Sequence, residues 1–362
     1  MTDESRSLAE RPQGTRRREQ TARADTEPAP RPRSPARGHF LATARGTDLT
    51  IEAIAGIAGA VNLPMVSRAC PVCGSDSQYR VFKEASFDAS RWDRFAFASR
   101  KTPEYMHYRL LECGRCDVLY ANPLPTRESL EAAYREADFD SGEEARYAGD
   151  SYAEFLPAIL AKLSRRAAAL DIGTGDGAFL EHLLGSGFER VVGVEPSRAP
   201  VEAARPSVRG LIRQSPFRPS DFERGSFSLI TCFQTLEHVY EPLELCRSAF
   251  ELLHPGGALF LVCHDRRALS ARVLGTRSPI FDIEHLQLFS RASLSYALGN
   301  AGYDDVGTHA VVNRYPLSYW ARLFPLPARA KGAALGALKQ SGLGRVPLAL
   351  AAGNFAAIGY KR

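Results

Sequence analysis

Three groups of residues have types and spacings that could do chemistry. Cys70 and Cys73 lie in "CPVCG", and Cys113 and Cys116 in "CGRC". Two such C-x-x-C pairs offer four thiolates, the donor set of a closed tetrahedral zinc site, so this metal would be structural rather than catalytic. The stretch "LDIGTGDGAF" sets Asp171 at the end of an apolar run, followed by Gly173, Gly175 and Gly177. Glycines at this spacing let backbone turn tightly and approach a ligand, and the next helix offers its free N–H groups. The stretch "FDIEHLQLFS" sets Glu284 beside His285. An imidazole near neutral pKa suits proton removal from an acceptor; a turn containing a packed histidine is the plainer alternative.

These groups need elements to hold them. "TRESLEAAYREA", residues 126–137, carries a helix start, with Thr126 as N-cap and Ser129 where a glutamate usually sits. From about residue 150 apolar runs alternate with helix-length segments. "RAAALDIG" leads into the glycine loop and the helical stretch "AFLEHLLGSG". "RVVGVEP", "FSLITCF" and "GALFLVC" read as further strands, with helices near 198–205 and 242–253 between them. This alternation is the signature of an α/β, doubly wound, mainly parallel sheet. Glu195 closes the second of these strands, where a carboxylate can accept from a ribose diol. His238 and His264 follow later strands, at the edge where such sheets bind ligands. His182 falls inside a helix and reads as structural. Cys232, Cys246 and Cys263 read as core packing.

Composition narrows the classes. The 362 residues carry a net charge of +5 and are 44% hydrophobic, ordinary for a globular chain. Lysine occurs at only six positions, and nine arginines fall within the first forty residues. The positive charge is therefore no evidence for a nucleic-acid face. The nearest approach to one is "SRWDRFAFASRK", 90–101. No apolar run reaches the length of a membrane span, and "RRR" at 16–18 is not followed by an export-type apolar region. The paired cysteines fit a reducing, cytoplasmic setting. The expected organisation is a disordered Arg/Pro-rich tail over 1–38, a linker or short helix over 39–66 and a cysteine module over 67–126. A catalytic domain over 127–362 follows, with a lid-like insertion at 316–350.

The order D-x-G-x-G-x-G, then E-P after the second strand, L-E-H-V after the fourth and H-P-G-G before the fifth resembles a class I S-adenosylmethionine-dependent methyltransferase over roughly 150–312. The resemblance implies a seven-stranded Rossmann-like sheet whose last strand lies in "GNFAAIGYKR". It implies that Gly173, Thr174, Gly175 and Gly177 cradle the methionine part of the cofactor, with Asp171 beneath them. Glu195 would bind the ribose, and Gln234 would line the pocket. The loop after the third strand, "RQSPFRPSDF", lacks the family's usual Asp near the adenine, which leaves Ser215 or a backbone group for that role.

The cysteine pairs, followed by "NPLPT" and a helix, resemble a bacterial group of zinc-ribbon methyltransferases that includes sugar C-methyltransferases. In that branch a Glu-His pair takes part in proton abstraction, and Glu284 and His285 match it; His238 is a further candidate. The Tyr that branch carries two residues before the Glu is Asp282 here, which puts carbon methylation of a ketosugar in question. The resemblance implies a small-molecule acceptor, a sugar or a glycoconjugate or secondary-metabolite precursor, with bound zinc and without nucleic acid or a membrane span. Two alternatives stay open: an RNA methyltransferase that uses the ribbon for contact, and a non-catalytic binding protein with a vestigial fold.

Overall fold

The structure, a computed structural model, describes residues 64–87, 97, 105–139 and 142–362. The tail expected over 1–38 and nearly all of the 39–66 linker lie outside the described residues, as does the basic–aromatic stretch at 90–101 apart from Phe97.

The cysteine module opens the described chain. It contributes β1 (Met65–Val66), β2 (Tyr79–Lys83), β3 (Leu110–Cys113), β4 (Leu119–Ala121) and β5 (Leu124–Pro125). Helix α1 (Arg127–Glu136) then starts as the sequence demands, the Thr126 hydroxyl accepting from the Ser129 N–H at 3.4 Å. That contact satisfies one of the orphan donors of the first turn. Helices α2 (Gly142–Ala153) and α3 (Leu156–Lys162) lead into the main sheet.

The main sheet begins at β6 (Ala168–Ile172), followed by α4 (Ala178–Gly185), β7 (Arg190–Glu195), α5 (Arg198–Ala203), α6 (Pro206–Arg209) and β8 (Ile212–Gln214). Then come β9 (Phe227–Phe233), α7 (Pro242–Leu252) and β10 (Leu253–His264). Every residue of β6 is buried, and six of the seven in β9, because helices cover both faces of a central parallel strand. Burying such side chains contributes about 1.5–3 kcal/mol each relative to exposure. After β10 the chain forms α8 (Leu269–Leu274), the two-residue strand β11 (Gln287–Leu288), α9 (Arg291–Ala301), β12 (Asp304–Ala310) and β13 (Asn313–Pro316). The 316–350 segment holds α10 (Leu317–Leu323), α11 (Ala328–Gln340) and β14 (Pro347–Leu350), and β15 (Asn354–Tyr360) ends the sheet.

The strand order is β12-β15-β10-β9-β6-β7-β8. All neighbours run parallel except β15, which is antiparallel to both β10 and β12. The fold is therefore the Rossmann-like, seven-stranded methyltransferase sheet that the sequence pattern implies, with "GNFAAIGYKR" as its last strand. The order reverses between β6 and β9, which opens a crevice beyond their carboxyl ends.

A second sheet has the order β11-β4-β3-β2. Strand β11 belongs to the "FDIEHLQLFS" segment, yet it pairs antiparallel with β4 of the cysteine module, Gln287 opposite Tyr120 and Leu288 opposite Leu119. A module expected to end near residue 126 thus takes its edge strand from far along the chain.

Candidate active site

A cavity of about 670 Å³ lies at the switch point. The glycine loop forms one wall. Asp171 is buried, and both its oxygens are held: Thr231 Oγ1 donates to Oδ1 at 2.6 Å and Thr174 Oγ1 to Oδ2 at 2.7 Å. Burial pushes its carboxyl up to about 6, against the pull of the two hydroxyls. Gly173 has φ +73° and packs so close to Thr235 that a Cβ would meet its Oγ1 at 2.2 Å. Gly175, at φ +57°, faces open space instead, leaving room beside the backbone for a ligand. Gly177 caps α4 in the left-handed region.

Glu195 ties the loop to the end of β7. Its Oε2 accepts from the Gly175 N–H at 3.0 Å and its Oε1 from the Ser197 N–H at 2.9 Å. Burial raises its pKa, and those two N–H groups oppose the rise. Glu195 lines the cavity, and a carboxylate oxygen can accept more than one hydrogen bond. Gln234 also lines the cavity, in the left-handed region at φ +47°, its N–H held by the Val262 carbonyl at 2.7 Å. Strain of this kind, about 1–3 kcal/mol, persists only where surrounding contacts impose it.

Ser215, expected near the adenine, is not among the residues that line the cavity. Just after β8 the Ser215 N–H donates to the Arg213 carbonyl at 3.0 Å.

The facing wall brings the sequence-distant histidines together. The ring centroids of His238 and His285 are 4.9 Å apart, and those of His264 and His285 are 5.2 Å apart. One donor atom each of His238, Glu284 and His285 lies within 4.8 Å of the others. The His285 ring donates from Nδ1 to the Ile280 carbonyl at 2.8 Å. A carbonyl can only accept, so the proton sits on Nδ1 and the lone pair on Nε2. Burial holds the His285 pKa down to about 4. Burial also holds His238 well below its usual value, with His285 and His264 adding to the effect, and it lowers His264. All three rings are neutral at physiological pH.

Several partners of this wall carry no motif in the sequence. The Tyr134 hydroxyl, from α1, contacts His238 Nδ1 at 3.1 Å and donates to the Glu284 carbonyl at 3.2 Å. His264 Nδ1 donates to Asn354 Oδ1 at 2.8 Å, and Asn354 Nδ2 donates to Asn313 Oδ1 at 3.1 Å. Tyr315, Tyr319, Trp320 and Phe324 line the same cavity from β13 and the 316–350 segment. His264 and the 316–350 segment were flagged by position, but no local pattern could have flagged Tyr134, Asn313 or Asn354, whose role arises only when separate elements meet.

The L-E-H-V motif divides its labour. Glu237 is fully buried, and its Oε1 accepts from the His264 N–H at 2.7 Å. Its carbonyl accepts from the Leu286 N–H at 2.9 Å. Glu237 therefore joins three strand-end loops, while His238 beside it faces the cavity. His182 stays outside this group and pairs with Asp150 at 3.2 Å.

The four cysteines form a second cluster. Cys70 and Cys116 have Sγ atoms 3.5 Å apart, as do Cys73 and Cys113, and all four lie within 4.8 Å. A tetrahedron with Zn–S bonds of about 2.3 Å has S···S edges of ~3.8 Å. The donor set and its spacing fit zinc. No disulfide joins these thiols. An ion cluster fastens the module to the loop after β10: Arg266 contacts both Glu112 and Asp117, with Arg267 and Arg80 at its rim.

Part of the chain is similar in sequence to known methyltransferases. Residues 144–307 match the family model described as a methyltransferase domain. A ubiquinone biosynthesis O-methyltransferase of Vibrio parahaemolyticus is 31% identical over 107 residues, covering 28% of this chain and 45% of that protein. One from Xanthomonas campestris is 35% identical over 106 residues, covering 28% and 44%. The chain thus spans less than half the length of these curated relatives. Among solved structures, a methyltransferase of Thermotoga maritima titled a possible histamine N-methyltransferase aligns with TM-score 0.40 at 20% identity, over 60% of this chain and 91% of that one. Geranyl diphosphate C-methyltransferase of Streptomyces coelicolor aligns with TM-score 0.38 at 16% identity, over 59% and 78%. The matched domain, with its strand order, is a class I S-adenosylmethionine-dependent methyltransferase domain.

Proposed function

We propose that the protein transfers a methyl group from S-adenosylmethionine to a hydroxyl of a small molecule, of the class of sugars or glycoconjugate and secondary-metabolite precursors. One observation carries the reading. A single cavity has the glycine loop and Glu195 on one wall and neutral His285, His238 and Glu284 on the other.

S-adenosylmethionine, when bound, supplies an electrophilic methyl group on a sulfonium. The backbone of Gly173, Thr174, Gly175 and Gly177 receives its methionine part, with Asp171 fixing the loop from below through the Thr174 hydroxyl. Glu195 accepts from the ribose hydroxyls with its remaining lone pairs. Gln234 shapes the floor between the two walls. His285 takes the acceptor proton on Nε2, and the nearby Glu284 carboxylate stabilises the imidazolium that results. His238, whose Nδ1 lies 3.8 Å from Glu284 Oε2, is the second candidate base. A zinc ion held by Cys70, Cys73, Cys113 and Cys116 would stabilise the module that carries β11.

The curated relatives' names support transfer to oxygen of a small molecule. Asp282, where the sugar C-methyltransferase branch has a Tyr, weighs against carbon methylation. The test is incubation of the full chain with methyl-labelled cofactor and fractionated small-molecule and nucleotide-sugar pools. Label transferred to a small polar product supports the reading; label found only in RNA, or no turnover on any pool despite cofactor binding, overturns it.

A further inference from the structure

We infer that the face around the cavity mouth, built by the 316–350 segment and α8, docks onto the surface of an anionic lipid bilayer. Burial, charge and position point to this together.

The 316–350 segment is apolar, yet it is barely buried. Among its 35 residues Gly344 alone is buried, and α11 has no buried residue. Phe324, Leu326, Leu343, Val346, Leu348 and Leu350 are exposed there. Helix α8 adds Leu269 and Val273, at 75% and 74% exposure. The Ser270 hydroxyl donates to the Ala352 carbonyl at 2.7 Å, which seats α8 against the end of β14. Folded chains keep such apolar surface only where something covers it.

The charged residues of these two segments have one sign, with Arg322 paired to Glu144 of α2 at 3.5 Å. Residues 316–350 contain Arg322, Arg329, Lys331, Lys339 and Arg345 and no Asp or Glu. The loop that carries α8, residues 268–279, adds Arg272 and Arg277, again without an acid. A soluble protein partner would need a matching run of carboxylates. An anionic bilayer offers both a negative surface and an apolar layer beneath it. Tyr319 and Trp320 sit within the face, residue types suited to the headgroup boundary. No helix among the described residues is long and apolar enough to cross a membrane, so the contact is one of surface only.

The position gives the contact a use. Ser270, Leu274, Phe324 and Leu350 line the cavity from this same face. An acceptor with an apolar tail could enter the cavity from the bilayer while its polar end meets His285. That last step rests on the proposed methyl transfer; the docking does not.

The test is co-sedimentation of the full chain with vesicles of phosphatidylcholine alone or with phosphatidylglycerol. Binding to the anionic vesicles alone, weakened by salt, is expected. Leu269→Asp/Val273→Asp and Lys339→Glu/Arg345→Glu alter exposed side chains, so both variants should fold and keep their affinity for S-adenosylmethionine. Each should lose at least tenfold in vesicle affinity. Absence of binding, equal binding to neutral vesicles, or variants that bind like the wild type would overturn the inference. So would concentration-dependent dimerisation that the same substitutions abolish without any vesicle binding. No step of this assay involves turnover, so its failure is separable from failure of the enzymatic reading.

Discussion

Gln287 stands opposite Tyr120 in the antiparallel pair β11–β4, two residues after His285. The proposed acid–base loop is therefore the edge strand of the cysteine module's sheet. Arg68, two residues before Cys70, closes the connection. Its guanidinium donates to the Leu286 carbonyl at 2.7 Å, to Gln287 Oε1 at 3.1 Å and to the Tyr240 carbonyl at 3.0 Å. Gln287 Nε2 in turn donates to the Leu236 and Val239 carbonyls at 2.6 and 2.8 Å. The loops bearing His238 and His285 are thus held at a fixed spacing by residues that touch neither ring.

Gln287→Leu keeps the volume and removes both amide donations. A buried carbonyl left without a donor costs about 1–3 kcal/mol, and misplacement by about 1 Å costs on the order of 100-fold in rate. We expect kcat to fall roughly 10–100-fold while the calorimetric Kd for S-adenosylmethionine stays within about twofold. An equal loss of cofactor affinity would mean general unfolding rather than mispositioning.

Cys113→Ser removes one of the four thiolates. Full-chain protein should carry one zinc per chain by mass spectrometry of metals, and the variant should lose it. Structural zinc contributes directly to folding free energy, so a loss of about 3 kcal/mol or more, equivalent to roughly 6–12 °C in Tm, is expected. Metal-free wild type with an unchanged Tm would contradict the assignment.

The cofactor wall is tested through Glu195. Glu195→Gln keeps the shape but gives up one charged acceptor toward the ribose. Hydrogen bonds to charged groups contribute about 1.5–3 kcal/mol, so the Kd for S-adenosylmethionine should weaken roughly tenfold or more. An unchanged Kd would place the ribose elsewhere.

The histidines set the pH behaviour. His285 has a folded pKa of about 4 against an ordinary value of 6.5. The unfolded chain takes up this proton first, so the group's contribution to stability is full above about 6.5 and is lost as pH falls toward 4, by roughly 3 kcal/mol in all. His238 and His264 are shifted the same way and add to the loss. Because the base stays neutral, kcat at saturating S-adenosylmethionine should hold level from pH 7 down to about 5, whereas cofactor affinity should follow Asp171, whose carboxyl is pushed up to about 6. A half-maximal rate near 6.5 with cofactor binding intact would show a base of ordinary pKa.

Much of this was legible in the sequence. Asp171, the glycines and Glu195 are local in the chain and fall where strand ends must meet, so pattern alone located one wall. Glu284 and His285 were legible as a pair, and His238 and His264 as strand-end candidates. Tyr134 and Asn354 converge on them from α1 and β15, and convergence of that kind has no linear trace. The β11–β4 pairing was hidden for the same reason, since a two-residue strand is too short to show a period. The adenine contact was not legible either, since residue types in "RQSPFRPSDF" do not announce the course of the turn after β8.

The most direct measurement is single-turnover methyl transfer from labelled S-adenosylmethionine by wild type and by His285→Ala, alongside calorimetric cofactor binding for both. The wild type should methylate a small-molecule acceptor. The variant should bind the cofactor with the same Kd and turn over about 100- to 10,000-fold more slowly. A His285→Ala variant that transfers the methyl group at the wild-type rate would contradict the account.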